Sequence, residues 1–113
     1  MDVSSIALSG LNAASTRLSV SANNIANADT PGSHAKDVKQ TTNANGGVDV
    51  SVVDRSPPTV TASDGQGGTQ QLPNTSPDAE LVNTQTATYN FQANLRMIKT
   101  EDDLQQSVLN ITA

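Results

Sequence analysis

Few residues of this 113-residue chain carry side chains that could do acid, base or metal chemistry. His34 is the single histidine and follows a Pro-Gly turn, and the chain has no cysteine. Glu101, Asp102 and Asp103 form an acidic run, but consecutive helical positions point in different directions, so these carboxylates cannot converge on one metal ion. We interpret His34 as a surface residue and the acidic run as a solvated helix face.

Two further patterns match known binding or modification motifs only in part. The glycine-rich run 65–68 lacks the Lys-Ser or Lys-Thr pair of a phosphate-binding loop. Asn74 begins a tripeptide with the spacing of a glycosylation acceptor, and nothing else in the sequence supports that use. We therefore predict no catalytic, cofactor-binding or metal-binding residues, and no enzymatic activity.

The composition predicts a chain with a small core. Serine, threonine, asparagine and glutamine together number 44, whereas the apolar set makes up 35% of the chain and includes one tyrosine and one phenylalanine. The net charge of −5 argues against a nucleic-acid partner, because phosphate binding needs clustered lysine and arginine. No run of 18 apolar residues exists, so we predict no membrane insertion.

Hydrophobic periodicity divides the chain into an N-terminal helix within 1–29, a connecting segment over 30–76 and a C-terminal helix within 77–113. Apolar residues recur every three or four positions in both terminal segments, as on one face of a helix. The middle holds four of the five prolines and six of the seven glycines. Alternation over 47–53 predicts a strand that pairs with 38–42 across an Asn45-Gly46 turn, with a third short strand over 59–61.

The predicted fold is mainly α: two long terminal helices pair as an antiparallel coiled-coil hairpin, with a short irregular or β-hairpin middle segment. The C-terminal helix is apolar on two sides, and one partner helix covers only one of them. The other side therefore needs another copy or another protein. The residues predicted for helix pairing are Leu11, Leu18, Ile25, Tyr89, Ala93, Met97, Leu104 and Ile111. The residues predicted to contact neighbouring subunits are Ile6, Val20, Phe91, Leu95, Ile98 and Leu109.

Both ends of the chain resemble the flagellar basal-body rod and hook (axial) protein family. An Ala-Asn-Asn-Ile-Ala-Asn run ends the first helix before a Thr-Pro-Gly turn, and an aromatic-x-Ala-Asn step precedes Ile-Lys-Thr in the second. The short middle is most similar to that of the short proximal-rod members. The motif residues are Ala22, Asn23, Asn24, Ile25, Ala26, Asn27, Thr30, Pro31, Gly32, Asn94, Lys99 and Thr100.

This resemblance implies a structural subunit of the bacterial flagellar basal-body rod, whose helices pack with those of neighbours into a tubular wall. It implies export from the cytoplasm through the flagellar type III apparatus, a final place in the periplasm-spanning rod, and other axial proteins or further copies as partners. The motif asparagines are expected to cap helix ends or to bridge backbone groups of adjacent chains.

An alternative function is open from the sequence. Ser33 stands where the family usually has an aromatic residue after the turn. A soluble adaptor or regulator of rod assembly or export could use the same helices without entering the rod.

Overall fold

Two helices and two β-hairpins form the chain in the computed structural model, which describes residues 2–44 and 46–112. The molecule is elongated, measuring 78 × 25 × 14 Å along its principal axes. The elements in chain order are α1 (Val3–Ala26), β1 (Lys36–Thr42), β2 (Val48–Asp54), β3 (Thr59–Ser63), β4 (Thr69–Pro73) and α2 (Pro77–Thr112).

Both predicted terminal helices are confirmed, with recognisable starts and ends. Asp2 caps α1, and its carboxylate accepts a hydrogen bond from the Ser4 amide at 3.3 Å. The helix ends at Ala26 with Asn27 as its C-cap, and the Thr-Pro-Gly turn that follows keeps the chain from continuing as a helix, because Thr30 before the proline is disfavoured in the helical region. α2 begins at Pro77, whose missing N–H is harmless in a first turn, and its 36 residues extend over about 54 Å.

The connecting segment contains more strand than predicted. β1 and β2 pair antiparallel, from Lys36 opposite Asp54 to Thr42 opposite Val48, which confirms the first predicted pairing. Asn45 of the predicted turn lies outside the described residues. β3 does not add to this sheet; it pairs with β4, which the sequence analysis did not identify.

Two local features explain this second hairpin. Prolines 57 and 58 have no N–H to donate, so they interrupt the ladder between β2 and β3. The glycine-rich run then reverses the chain, and the Asp64 carboxylate accepts hydrogen bonds from the amides of Gln66 and Gly68, each at 2.8 Å. The glycine-rich run is therefore the turn of a hairpin.

The two helices pack side by side in opposite directions along a seam of small and polar residues. The Ser4 hydroxyl bonds the Glu101 carboxylate at one end, and Asn24 bonds Glu80 at the other. The side chains of α2 that are least exposed recur at alternating steps of four and three, which is the spacing of a helix-pairing face. They are Glu80, Thr84, Ala87, Phe91, Asn94, Ile98 and Glu101.

The core is made of alanine. The buried apolar residues among those described are Ala7, Ala13, Ala14, Ala35 and Ala87. Each alanine buries little apolar area, but its small side chain lets two helix backbones approach closely. The small core inferred from composition is thus spread along a thin contact between elements. Within the described residues, neither helix combines the length and apolar content needed to cross a membrane.

The first hairpin is fixed against α1 by polar contacts. The Val48 amide donates to the Ser9 hydroxyl at 3.1 Å, and Arg17 donates to the side-chain carbonyl of Gln40 at 2.9 Å. Gly47 has a positive φ of 97°, and a Cβ there would lie 2.5 Å from the Ser9 oxygen. A glycine is therefore required where the hairpin meets the helix.

The close approach of the helices at Gly10 leads to a stability prediction. A Cβ at Gly10 would lie 2.5 Å from the side-chain oxygen of Asn94, so Gly10→Val should lower the free energy of unfolding by about 2 kcal/mol. Urea unfolding followed by circular dichroism measures this. Ser15→Val, at an exposed position of the same helix, is the control and should change stability by less than about 0.5 kcal/mol. Adding Asn94→Ala to Gly10→Val should restore part of the loss, and an unchanged stability of Gly10→Val would contradict the packing.

Candidate assembly surface and its polar support

A motif asparagine joins the first helix to the start of β1. The Asn24 side chain accepts a hydrogen bond from the Lys36 amide at 2.9 Å and donates to the Lys36 carbonyl at 2.8 Å. It thereby satisfies both backbone groups of a strand residue, as a neighbouring strand would. The same amide group donates to Glu80 of α2 at 3.1 Å. Asn24 is buried, so one side chain ties three segments together.

Arg55 occupies the centre of the same cluster. Its guanidinium donates to Glu80 at 2.7 Å and to Asp37 at 2.7 and 2.9 Å. A further guanidinium N–H donates to the Asn74 carbonyl at 2.7 Å. The planar fork of arginine suits such simultaneous contacts. We call Asn24, Asp37, Arg55 and Glu80 the polar junction.

The charges of the polar junction support one another. Glu80 is only 2% exposed, and burial by itself raises its pKa. Hydrogen bonds from Arg55, Ser21, Asn24 and Asn83 outweigh burial, so the pKa of Glu80 lies below the ordinary glutamate value. The hydrogen bond to Asp37 raises the pKa of Arg55, although burial acts in the opposite direction. Both groups are therefore charged at neutral pH.

Backbone hydrogen bonds extend the polar junction into the connecting segment. The Arg55 amide donates to the Ala35 carbonyl at 2.8 Å. The amides of Ala35 and Asn74 both donate to the Pro58 carbonyl at 3.0 Å. Ala35 is 1% exposed, so the chain after the Thr-Pro-Gly turn is docked despite the serine at position 33. The middle segment is held to the helix pair at one end of the seam.

The structure places the motif residues in different surroundings. Asn24 bridges backbone groups within its own chain, which differs from the expected bridge to an adjacent chain. Asn27 caps α1, and its side-chain amide donates to the Asn23 carbonyl at 3.0 Å. Asn94 lies against Gly10 in the seam. Gly32 has a positive φ of 75°, and its amide donates to the Gln71 carbonyl at 3.0 Å. The exposed motif residues are Ala22, Asn23, Ile25, Ala26, Thr30, Pro31, Lys99 and Thr100.

The prediction of which face of α2 pairs with α1 was wrong. Tyr89, Met97, Leu104 and Ile111 are 62, 51, 62 and 84% exposed, and Ala93 is exposed as well. The half-buried residues are instead Phe91 and Ile98, which were predicted to contact neighbouring subunits. Leu95 and Leu109, predicted for the same role, are exposed and therefore accessible to a neighbour.

The cause of this error is that periodicity reveals two apolar stripes without showing which one a thin partner helix covers. The face of α2 that packs against α1 includes Glu80 and Asn94, which are polar residues that contact α1. The seam therefore does not follow the stripe with the most large apolar residues.

On α1, the predicted pairing residues flank the alanine seam. Leu11 and Leu18 are half-buried and Ile25 is exposed. Ile6 and Val20 were predicted to face neighbours, but the first hairpin approaches this side of the helix. The Cα of Ile6 is 3.7 Å from the position of a Cβ on Gly47, and Val20 shares a groove with β1.

Seven of the exposed apolar side chains of α2 form a candidate assembly surface. Projected at 100° per residue, their mean direction lies about 120° from that of the seam. A row of large exposed apolar side chains along one helix marks an interaction site. We call this surface the outer stripe, and it comprises Val82, Tyr89, Ala93, Met97, Leu104, Val108 and Ile111.

Other residues with reactive groups are dispersed. His34 is exposed and lies 3.3 Å from the Asp54 carboxylate at the surface. Glu101 bonds across the seam, whereas Asp102 and Asp103 are exposed. In the part of the chain that the structure describes, no group of three or more histidine, cysteine, aspartate or glutamate side chains is placed to hold a metal ion.

Asp37, Arg55 and Glu80 were not predicted as structural residues. A signal for Glu80 was present, because its position begins the alternating spacing that continues through Ala87 and Phe91. A charged residue at such a position needs a buried partner of opposite charge.

Two models of protein families match the chain. The first, described as "Flagella basal body rod protein", matches residues 5–32, and the second, described as "Flagellar basal body rod FlgEFG protein C-terminal", matches residues 66–111. The chain belongs to the flagellar basal-body rod and hook family. Rod proteins of these families are structural and non-enzymatic, so the chain is not an enzyme. A search of curated proteins finds no significant match.

The polar junction connects the two regions that match the rod family. Asn24 lies in the first matched region and Glu80 in the second, and their hydrogen bond joins them directly. Arg55 lies between the matched regions. The connecting segment of this rod protein thus supplies the cation that holds its two family regions together.

The lowered pKa of Glu80 predicts a pH-dependent stability. A carboxylate whose pKa is depressed by folding adds stability above its unfolded value, 4.5, and this stability disappears as the pH falls through the depressed pKa. Glu80→Gln should cost about 2 kcal/mol at pH 7, because charged hydrogen bonds are lost.

Urea midpoints of wild type and Glu80→Gln, measured from pH 7 downward, should converge below pH 4.5. Asp103→Asn changes an exposed residue of the same helix and is the control; its urea midpoint should equal that of wild type at every pH. If the difference in urea midpoint between wild type and Glu80→Gln is as large at low pH as at pH 7, Glu80 is not ionised in the polar junction and the prediction is contradicted.

Proposed function

We propose that this chain is a structural subunit of the flagellar basal-body rod that assembles through helix-helix packing. α1 and α2 pair as an antiparallel coiled coil, and the outer stripe packs against helices of neighbouring subunits. The observation that carries this proposal is the exposure of the outer stripe. Up to Met97 it lies on a stretch of α2 that already pairs with α1 by another face, and from Leu104 onward it lies beyond the start of α1.

The energetics of the outer stripe support assembly. Six of its side chains are larger than alanine, and each is at least half exposed in the single chain. Full burial of such a side chain contributes about 2 kcal/mol, so covering the exposed halves gives roughly 6 kcal/mol before the cost of association. This is enough to make repeated lateral contacts favourable.

The shape of the helix pair supports the same role. The outer stripe runs from Val82 to Ile111, which corresponds to about 44 Å of helix. The polar junction fixes the hairpins at one end of the seam, so they leave this length of α2 uncovered. A long, narrow subunit with one free apolar stripe is suited to packing in a wall of parallel neighbours.

Family membership supports the cellular part of the proposal. The neighbours are other axial proteins and further copies of the chain, and the subunit reaches the periplasm-spanning rod through the flagellar type III export apparatus. The alanine core and the polar junction are non-covalent, so the chain can pass through an export channel unfolded.

Charge in the outer stripe tests the proposed assembly. Tyr89→Asp and Met97→Asp should each reduce the amount of the chain in purified basal bodies at least about tenfold, since burying an unpaired carboxylate is strongly unfavourable. Both positions are exposed, so circular dichroism should show a wild-type fold.

Gln92→Asp is the matched control, because it adds the same charge at an exposed position of α2 outside the stripe. Normal incorporation of Tyr89→Asp and Met97→Asp would contradict the role of the stripe. Wild-type chain that remains in the cytoplasmic fraction would favour an adaptor instead of a rod subunit.

A further inference from the structure

A groove between α1, β1 and α2 gathers most of the positive charge of the chain. Its volume is about 410 Å³. Four of the six lysine and arginine residues line it, together with two acidic residues, so its lining has a net charge of +2 on a chain of net charge −5. The charged lining residues are Arg17, Lys36, Lys39, Arg55, Asp37 and Glu80.

Two of these cations have no acidic partner among the residues that the structure describes. Arg55 is neutralised by Asp37 and Glu80 in the polar junction, and Lys36 pairs with Asp54 at 3.2 Å. Arg17 bonds only the neutral side chain of Gln40, and Lys39 is exposed with no ion pair among the described residues. The half-buried valines 20 and 38 add apolar surface to the same groove. The groove therefore favours a segment that is both acidic and apolar.

The far end of α2 is such a segment. The contact of Ser4 with Glu101 places the start of α1 beside residue 101, so residues 102–112 extend past the first residue of α1. We call these residues the α2 overhang. It contains two aspartates and no lysine or arginine. Its large apolar side chains are all at least 60% exposed, and they are Leu104, Val108, Leu109 and Ile111.

We propose that the α2 overhang of one copy docks in the basic groove of a second copy. The side chains of Asp102 and Asp103 leave the helix about 100° apart, so they approach cations on two different walls of the groove, Arg17 on α1 and Lys39 on β1. Leu109, on the same face as Asp102, covers the valines. The inference deepens the proposed rod function by naming one contact between subunits. It rests on charge complementarity and on the apolar side chains that the shorter helix α1 leaves uncovered.

The positions of the two surfaces determine what this contact builds. Gly10 lies opposite Asn94, so Arg17 lies at the level of residue 87, about 20 residues or 30 Å from the middle of the overhang. The groove and the overhang therefore lie on different parts of the chain. When the groove and the overhang of one copy contact two different neighbours, the contact is head-to-tail and can continue as an open row along the long axis.

Charge reversal tests the docking in the full chain. Arg17→Glu with Lys39→Glu, and separately Asp102→Lys with Asp103→Lys, should each weaken self-association at least about tenfold in sedimentation velocity. Mixing the two double variants should restore association, because an acidic groove then meets a basic overhang and the two unchanged surfaces still match. Added salt should weaken the wild-type association.

Arg96→Glu with Lys99→Glu is the matched control, since it makes the same change in net charge outside the groove and should leave association unchanged. Failure of the mixture to associate, or the absence of wild-type self-association, would overturn the docking. The proposed function has a separate readout: if groove variants enter basal bodies normally while Tyr89→Asp does not, the docking fails and the rod role stands.

Discussion

The buried hydrogen bonds between Asn24, the Lys36 backbone and Glu80 are the constraint on which the rest of the structure depends. They place the end of α1 beside the start of α2 and bring β1 to the same point. Arg55 supplies the positive charge that makes a buried glutamate acceptable there. Such a cluster adds less stability than an apolar one of equal volume, but removing any one member leaves an unpaired polar group. It therefore selects one register of the helices and one docking of the hairpins.

The polar junction and the alanine seam together explain why large apolar residues are left outside. A seam of Ala7, Gly10, Ala14 and Ser21 brings the helices close without using leucine, valine or methionine. The larger side chains of α2 are consequently available to other subunits. A chain whose own core is small then gains much of its apolar burial on assembly, which suits a component that must first be exported unfolded.

Local features of the sequence predict the elements, and contacts between distant segments decide how these elements combine. Pro77 and the Thr-Pro-Gly turn mark helix boundaries, alternation marks β2, and the Asn-Gly pair before it indicates pairing with β1, so these predictions are confirmed. The pairing of β3 with β4 was missed because residues 69–73 contain two glutamines and a proline and show weak apolar alternation. The pairing face of α2 was misassigned because polar contacts at Asn24 and Glu80 override hydrophobic periodicity.

Amide hydrogen exchange of the native chain tests directly whether the polar junction unites these segments. The Lys36 and Arg55 amides, which donate to Asn24 and to the Ala35 carbonyl, should exchange with the same opening free energy as the seam amides around Ala14 and Ala87. Equal values would show that the helices and the connecting segment open together. Exchange at Lys36 and Arg55 that is orders of magnitude faster than in a protected seam would contradict the account, because the hairpins would then be appendages of an independent helix pair.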